Sequence, residues 1–373
     1  MTAAGAAPEP DASRAVVRVG VVGLGLVGGS VARLLRERGV EGSGFGAPAG
    51  AGGAARAAGL RVVGDVAEVC VDEPDVLVLA VPLRAMRAVA ADVARHVRGA
   101  TVVTDVGSVK GAVRATGRSA GLDARDVGAH PMAGTEHSGF EASDPAMLAG
   151  ARWALTVDAT TRPDAFTTVL RLVTGPLGGT VHVLTDDVHD ESTALVSHVP
   201  HVLATELLGV VADAPVRDVA LGLAAGRFRD ATRGGRPGPR RTEAMVTDNA
   251  AWVASALRVV VRDLEQLVRA LETNAPVGEF FDRPDPVRAA TGGTGEPVRV
   301  DLDDAGTWRE TLTAAGARGA VVVDVAARAV VVGGGAPAGP ASRSPPSRPG
   351  ATRPRSGSPS GSSSAARRTA RAC

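Results

Sequence analysis

Apolar and polar positions along the chain follow two regimes. Residues 16–22 form a short apolar run that breaks at GLGLVGGS and resumes as VARLLRER with helical spacing. Further apolar runs of strand length lie at 75–81, 101–105, 127–130 and 152–157, and a helical pattern at 83–97 separates two of them. A second strand is expected to run into EGSGFGAPAGAG. Strands alternating with helices predict a mostly parallel sheet covered on both faces.

Near residue 185 the pattern changes, and no convincing strand follows before about residue 281. Leu257, Val260, Val261, Leu264, Leu267, Val268 and Leu271 trace one apolar stripe at i, i+3, i+4, i+7 spacing. This half is predicted to be all-α. Residues 282–332 hold a small αβ element built from VRVDL, TWRETLTAAG, GAVVVDV and ARAVVVG. From 333 to 373 the chain is Pro, Gly, Ser and Arg with few apolar residues, and it is expected to be a disordered, solvated tail, as are residues 1–15. The α/β domain is placed at 16–184 and the helical domain at 185–281.

The 373 residues suffice for two cores. Lys+Arg 41 against Asp+Glu 40 leaves a formal charge of +1, which argues against a nucleic-acid partner. Cys70 and Cys373 stand far apart, so neither a disulfide framework nor a metal spacing is read. The first residues lack the signature of a signal peptide, and no apolar run approaches the roughly 18 residues of a membrane helix. A soluble, cytoplasmic protein is expected, without a membrane partner. Lys110 is the only lysine, and tyrosine is absent. A lysine surviving such arginine bias points to chemistry a planar guanidinium cannot supply.

Gly23, Gly25 and Gly28 spell G-x-G-x-x-G after a strand and before a helix. Glycines there let a pyrophosphate approach backbone, and the helix N-terminus offers amide donors. With Leu26, they are the candidate cofactor site of a Rossmann-type domain. Val81 and Pro82 are expected to flank the same cofactor. The acidic residue that reads a ribose 2′-hydroxyl is not evident, because Glu41 comes early and Asp65 late. NAD is favoured over NADP, since no arginine ends the second strand; Arg56 lies nearest and keeps NADP open.

DVGSVK, residues 105–110, lies at the C-terminal end of a strand, where open α/β sheets bind ligands. Ser108 and Lys110 are therefore site candidates. HPMAGTEHSG, residues 130–139, follows another strand, and His130 is the candidate general base. In SHVPH, His198 and His201 share a helical face. With only two nitrogens and no placed carboxylate, a metal site is not expected. Arg233 in RFRDATR is suited to gripping a carboxylate.

GLGLVGGS, DVGSVK, HPMAGTEHSG, SHVPH and FRDATR, in that order, resemble the prephenate dehydrogenase family, arogenate dehydrogenases included. The resemblance implies oxidation of prephenate's ring alcohol by hydride transfer to a nicotinamide, with loss of carbon dioxide, giving 4-hydroxyphenylpyruvate for tyrosine biosynthesis. It casts His130 as the base, Ser108 between the ring hydroxyl and the nicotinamide, and His201 and Arg233 as substrate contacts. Thr135, Glu136 and Lys110 join them on the substrate side. Arogenate is the alternative substrate, and a non-catalytic dinucleotide-binding protein the alternative class. The resemblance also implies a homodimer through the helical domain. Where the family carries a tryptophan beyond the arginine, this chain reads GGRPGPRRTEAM, with Met245 near that place.

Overall fold

The computed structural model describes residues 16–46, 51–135, 137–236, 238–289, 296–304, 306–326 and 328–334. Both expected disordered termini, and Glu136, lie outside the described residues apart from Gly333 and Gly334. The α/β half is one seven-stranded sheet in the order β2-β1-β3-β4-β5-β6-β7. Its strands are β1 (Arg18–Val22), β2 (Glu41–Phe45), β3 (Val76–Leu79), β4 (Val102–Asp105), β5 (Asp126–Pro131), β6 (Arg152–Thr156) and β7 (Thr180–Leu184). All neighbours pair in parallel except β5 with β6. β1, β3 and β4 are buried nearly throughout, as strands covered on both faces must be, with Thr104 and Asp105 the buried polar residues of β4.

The helices of this half are α1 (Leu26–Glu37), α2 (Ala51–Ala57), α3 (Val66–Val71), α4 (Leu83–His96), α5 (Gly111–Ser119) and α6 (Pro163–Thr174). The chain leaves β1 toward β2 on one side and returns to β3 on the other. The crevice above β1 and β3 is thus the switch point of the sheet. The sequence reading placed five of these strands and foresaw β2, but passed over α6 and β7.

The helical half follows at Thr185, whose side chain caps α7 (Asp186–Thr193) by accepting from the Val188 N–H. A π-helical turn, Ala194–His198, joins α7 to α8 (Val199–Asp213). Then come α9 (Arg217–Leu223), α10 (Gly226–Thr232), α11 (Pro239–Asp248) and α12 (Ala250–Glu272). The continuous helix Asp186–Asp213 runs for 28 residues and is apolar enough, by length and composition, to cross a membrane. That corrects the sequence reading, in which α7, the π turn and α8 did not register as one segment.

The core of this half is small: Ala194, Val199 and Val253 form its buried cluster, with Ala204 of α8 also buried, among the described residues. Leu257 and Val260 pack against that cluster. The same stripe's Val261, Leu264, Val268 and Leu271 are exposed, as are Leu203, Leu207 and Val210 of α8.

The αβ element near the C-terminus forms an antiparallel sheet, β8 (Val298–Asp301), β9 (Ala320–Val325) and β10 (Ala329–Gly334), in the order β8-β10-β9. Its helix Trp308–Ala317 lies against β7. Trp308 is fully buried and meets Phe166 of α6 with ring centroids 5.2 Å apart, and Leu312 and Val330 join the main core. Gly316 sets this packing, because a Cβ there would sit 1.9 Å from the Val183 carbonyl oxygen. Gly316→Ala should therefore force the helix off the sheet at a cost of about 1–3 kcal/mol in urea unfolding. Unchanged stability would show that the element does not depend on this contact.

Candidate active site

The crevice is shaped first by glycines. Gly23 has φ +105°, and a Cβ there would meet the Ala80 carbonyl oxygen at 2.4 Å. At Gly28 a Cβ would lie 1.9 Å from the Gly23 oxygen, so only glycine lets α1 start this close to the turn. Gly25 faces open space, with nothing within 4 Å of a Cβ. No side chain caps α1, and its first turn, which Leu26 opens, has no acidic residue. Its N-terminal amides are left for an anion, which a dinucleotide's pyrophosphate supplies. Val81 and Pro82 follow β3 at the same edge, Pro82 being the N-cap of α4.

The loop after β5 is fastened to that same helix. The Asp144 N–H donates to Ser30 Oγ at 2.9 Å, and Arg33 donates to the Ser143 carbonyl oxygen. Phe140 packs over Gly29, where a Cβ would meet it at 2.8 Å. Cofactor helix and HPMAGTEHSG loop therefore hold one another in place. Thr135 is exposed on this loop, and its hydroxyl accepts from the His137 N–H at 3.3 Å.

His130 is the penultimate residue of β5 and is half-buried. Its Nδ1 lies 3.0 Å from Nε2 of His189 on α7. The Nδ1 of His189 lies 2.7 Å from Asp190 Oδ1. The same oxygen accepts from the Lys110 N–H at 2.7 Å, and Oδ2 accepts from the Gly111 N–H at 2.9 Å. Asn249, between α11 and α12, donates to the Asp190 carbonyl oxygen at 2.8 Å and contacts His198 Nδ1 at 3.0 Å.

In an unbroken α-helix, residues nine apart point roughly opposite ways. The π turn resets that phase and brings His198 round toward His189, a use such turns often serve at functional sites. His201 follows one turn later, with Nδ1 2.7 Å from the Ser197 carbonyl oxygen.

Arg233 opens a short 3-10 turn, Arg233–Gly235, that packs on α8 beside His201. Its side chain is exposed and makes no protein hydrogen bond among the described residues. The unusual glycines after it have a steric reason. A Cβ at Gly235 would approach the Ala204 backbone to 2.8 Å, so the small residues let the turn after Arg233 pack closely on α8. Ser108, half-buried after β4, has no protein partner among the described residues either.

Lys110 is a correction. It is 1% exposed, donating from Nζ to Asp105 and, at 2.7 Å, to the Ala129 carbonyl oxygen. An ammonium satisfied inside the protein has nothing to offer a substrate directly. Conversely, His189, Asp190 and Asn249 were missed by the sequence reading. HDES, residues 189–192, sits in a polar helical turn with no spacing that marks it. The signal that would have found it is position, on the helix that also carries SHVPH.

Burial keeps His130, His189 and His198 neutral. Burial, then His189, Lys110 and His198, hold the His130 imidazole well below the usual 6.5. Burial lowers His189 too, only partly offset by Asp190. Burial pushes His198 down to about 4, and its Nε2 is buried without a protein partner among the described residues. Burial opposes charge on Asp190, but hydrogen bonds from His189, Lys110 and Gly111 hold its carboxyl below the usual range.

A doubly wound sheet with an uncapped, glycine-lined helix at its switch point and histidines at the same edge defines a nucleotide-dependent dehydrogenase. Two family models agree. "Prephenate dehydrogenase, nucleotide-binding domain" matches residues 31–196, and "Prephenate dehydrogenase, dimerization domain" matches 185–281. The chain belongs to the prephenate dehydrogenase family.

The cyclohexadienyl dehydrogenase of Zymomonas mobilis is 32% identical over 259 residues, 68% of this chain and 88% of that protein. Prephenate dehydrogenase from A. aeolicus, solved with hydroxyphenyl propionate and NAD+, superposes with TM-score 0.68 at 28% identity, covering 74% of this chain and 98% of that one. Synechocystis arogenate dehydrogenase superposes with TM-score 0.62 at 26% identity, covering 73% and 98%.

The neutral histidines make a stability prediction. The unfolded chain binds protons at a histidine near pH 6.5, while folded His198 waits until about 4. The unfolded state therefore binds more protons in this window, and stability falls on acidification. His198→Gln should flatten the slope of unfolding free energy between these pH values by up to about 1.4 kcal/mol per pH unit. Parallel pH curves for variant and wild type would show that His198 protonates alike in both states.

Proposed function

We propose that the protein catalyses the oxidative decarboxylation of prephenate to 4-hydroxyphenylpyruvate with NAD, in the cytoplasm, as a step of tyrosine biosynthesis. The observation that carries this reading is His130, a neutral imidazole at the end of β5, over the crevice that α1's amides open. NAD, bound at Gly23, Gly25, Leu26 and Gly28 and flanked by Val81 and Pro82, supplies the hydride acceptor. The open face at Gly25 and the uncapped helix fit its pyrophosphate.

His130 accepts the proton of the ring hydroxyl, so electron density rises at the carbon that loses hydride. Ser108 orients the hydroxyl from the loop after β4. Arg233 grips a carboxylate of the dianionic substrate, and His201 lies beside it. Thr135 and Glu136 are read as further substrate-side contacts, Glu136 lying outside the described residues. Loss of carbon dioxide then follows from aromatisation and needs no further protein base.

The active form is proposed to be a homodimer through the helical domain. A half with so few buried apolar residues, and with Val261, Leu264, Val268 and Leu271 exposed, needs a second copy to cover it. Sedimentation at micromolar concentration should give a dimer that Leu264→Asp with Val268→Asp dissociates. A monomeric wild type would remove this claim.

Reduced-cofactor absorbance with prephenate, and separately with arogenate, tests the reaction. His130→Asn should lower turnover about 10²- to 10⁴-fold while NAD affinity holds. Arg233→Ala should instead raise the Michaelis constant for prephenate, with a smaller change in turnover. A folded, NAD-binding His130→Asn protein with near-normal turnover would take His130 out of the mechanism.

A further inference from the structure

We infer that Asp190, acting through His189, fixes the tautomer of His130 so that its Nε2 is the bare, proton-accepting nitrogen. This rests on the proposed role of His130 as base and names what makes it one. The argument is a count of protons along a chain of contacts. Asp190 is ionised and can only accept. The 2.7 Å contact with His189 Nδ1 therefore requires a proton on that nitrogen. His189 is neutral, so its Nε2 has none and must accept. The 3.0 Å contact with His130 then requires the proton on His130 Nδ1. Neutral His130 is left with an unprotonated Nε2, which has no hydrogen-bond partner among the described residues.

Asp190 is held for this task from outside its own helix. Two backbone amides at the head of α5, those of Lys110 and Gly111, take one carboxylate oxygen each. The positive end of that helix further favours the ion. Gly111 leaves room, since a Cβ there would already lie 3.1 Å from Oδ2. When Nε2 takes a proton, the imidazolium charge has a hydrogen-bonded route toward Asp190. The charged and titratable groups facing His130 are His189 and His198 from the long helix and the Lys110 ammonium from the start of α5. Of these, His189 alone bonds to its ring. His189 and Asp190 are thus positioning residues.

The test reads the tautomer directly. Imidazole ¹⁵N shifts of the NAD-bound protein at pH 8 should show His130 protonated at Nδ1 and bare at Nε2. In Asp190→Asn, an amide N–H facing His189 Nδ1 reverses both tautomers. The shifts should invert, and turnover should fall by about 10²- to 10⁴-fold at unchanged NAD affinity.

Because Asp190 also holds the head of α5, a second pair guards against a folding defect. His189→Gln keeps an acceptor for His130 and should retain turnover within about tenfold, with the acid limb of its pH profile close to wild type. His189→Leu removes the acceptor and should lose turnover as Asp190→Asn does. A wild-type His130 protonated at Nε2, or His189→Leu with wild-type turnover and pH profile, overturns the inference. If prephenate is not turned over but the ¹⁵N pattern is as stated, the reaction fails and the relay stands.

Discussion

The carboxylate of Asp190 is, with the Arg114–Asp186 ion pair, a point at which the two halves of the molecule meet. One oxygen is held by the Lys110 N–H, the other by the Gly111 N–H, both at the start of α5 in the sheet domain. Asp190 itself belongs to the first helix of the other half, and Asn249 ties the start of α12 to its carbonyl. A charged group 6% exposed survives only if such bonds replace its hydration. Here the replacement is made by backbone, which cannot swing away. The relative placement of β5 and the long helix, and so the meeting of His130 with His189, follows from that grip.

What was legible in the sequence divides along the same line. The glycines of GLGLVGG declare themselves, because close backbone approach at Gly23 and Gly28 admits no other residue. Apolar runs gave β1, β3, β4, β5 and β6, since strands buried on both faces have little freedom of composition. β7 alternates and sits under the appended αβ element, so its TVHVL reads weakly. The site was half visible. His130 and Arg233 could be picked by type and setting, whereas His189 and Asp190 matter through partners 59 and 80 residues away. No local spacing encodes that.

The helical half shows a different limit. Its long stripe on α12 was readable as a helix face, and periodicity cannot say what covers such a face. Within one chain the stripe is divided: Leu257 and Val260 go to the small core, while Val261, Leu264, Val268 and Leu271 remain at the surface. The apolar helix Asp186–Asp213 has the same character, with 22% of its most apolar window buried. Its high hydropathy fits a helix that a second chain covers. The match of residues 185–281 to a dimerization domain favours that occupant over a membrane.

The lone lysine, expected on the substrate side, is buried beneath a strand end instead. Lys110 does not reach toward substrate; it lies under the site, its ammonium on Asp105 and on the carbonyl of Ala129, the residue before His130. A buried ion pair is a poor source of stability, since desolvation offsets much of its attraction. It is a good source of position, and here it pins the strand end from which His130 projects. Gly128 makes room, with a Cβ there only 3.1 Å from Lys110 Cδ. In a chain that uses arginine everywhere else, a compact cation is kept where the strand end bearing the proposed base is fixed from below.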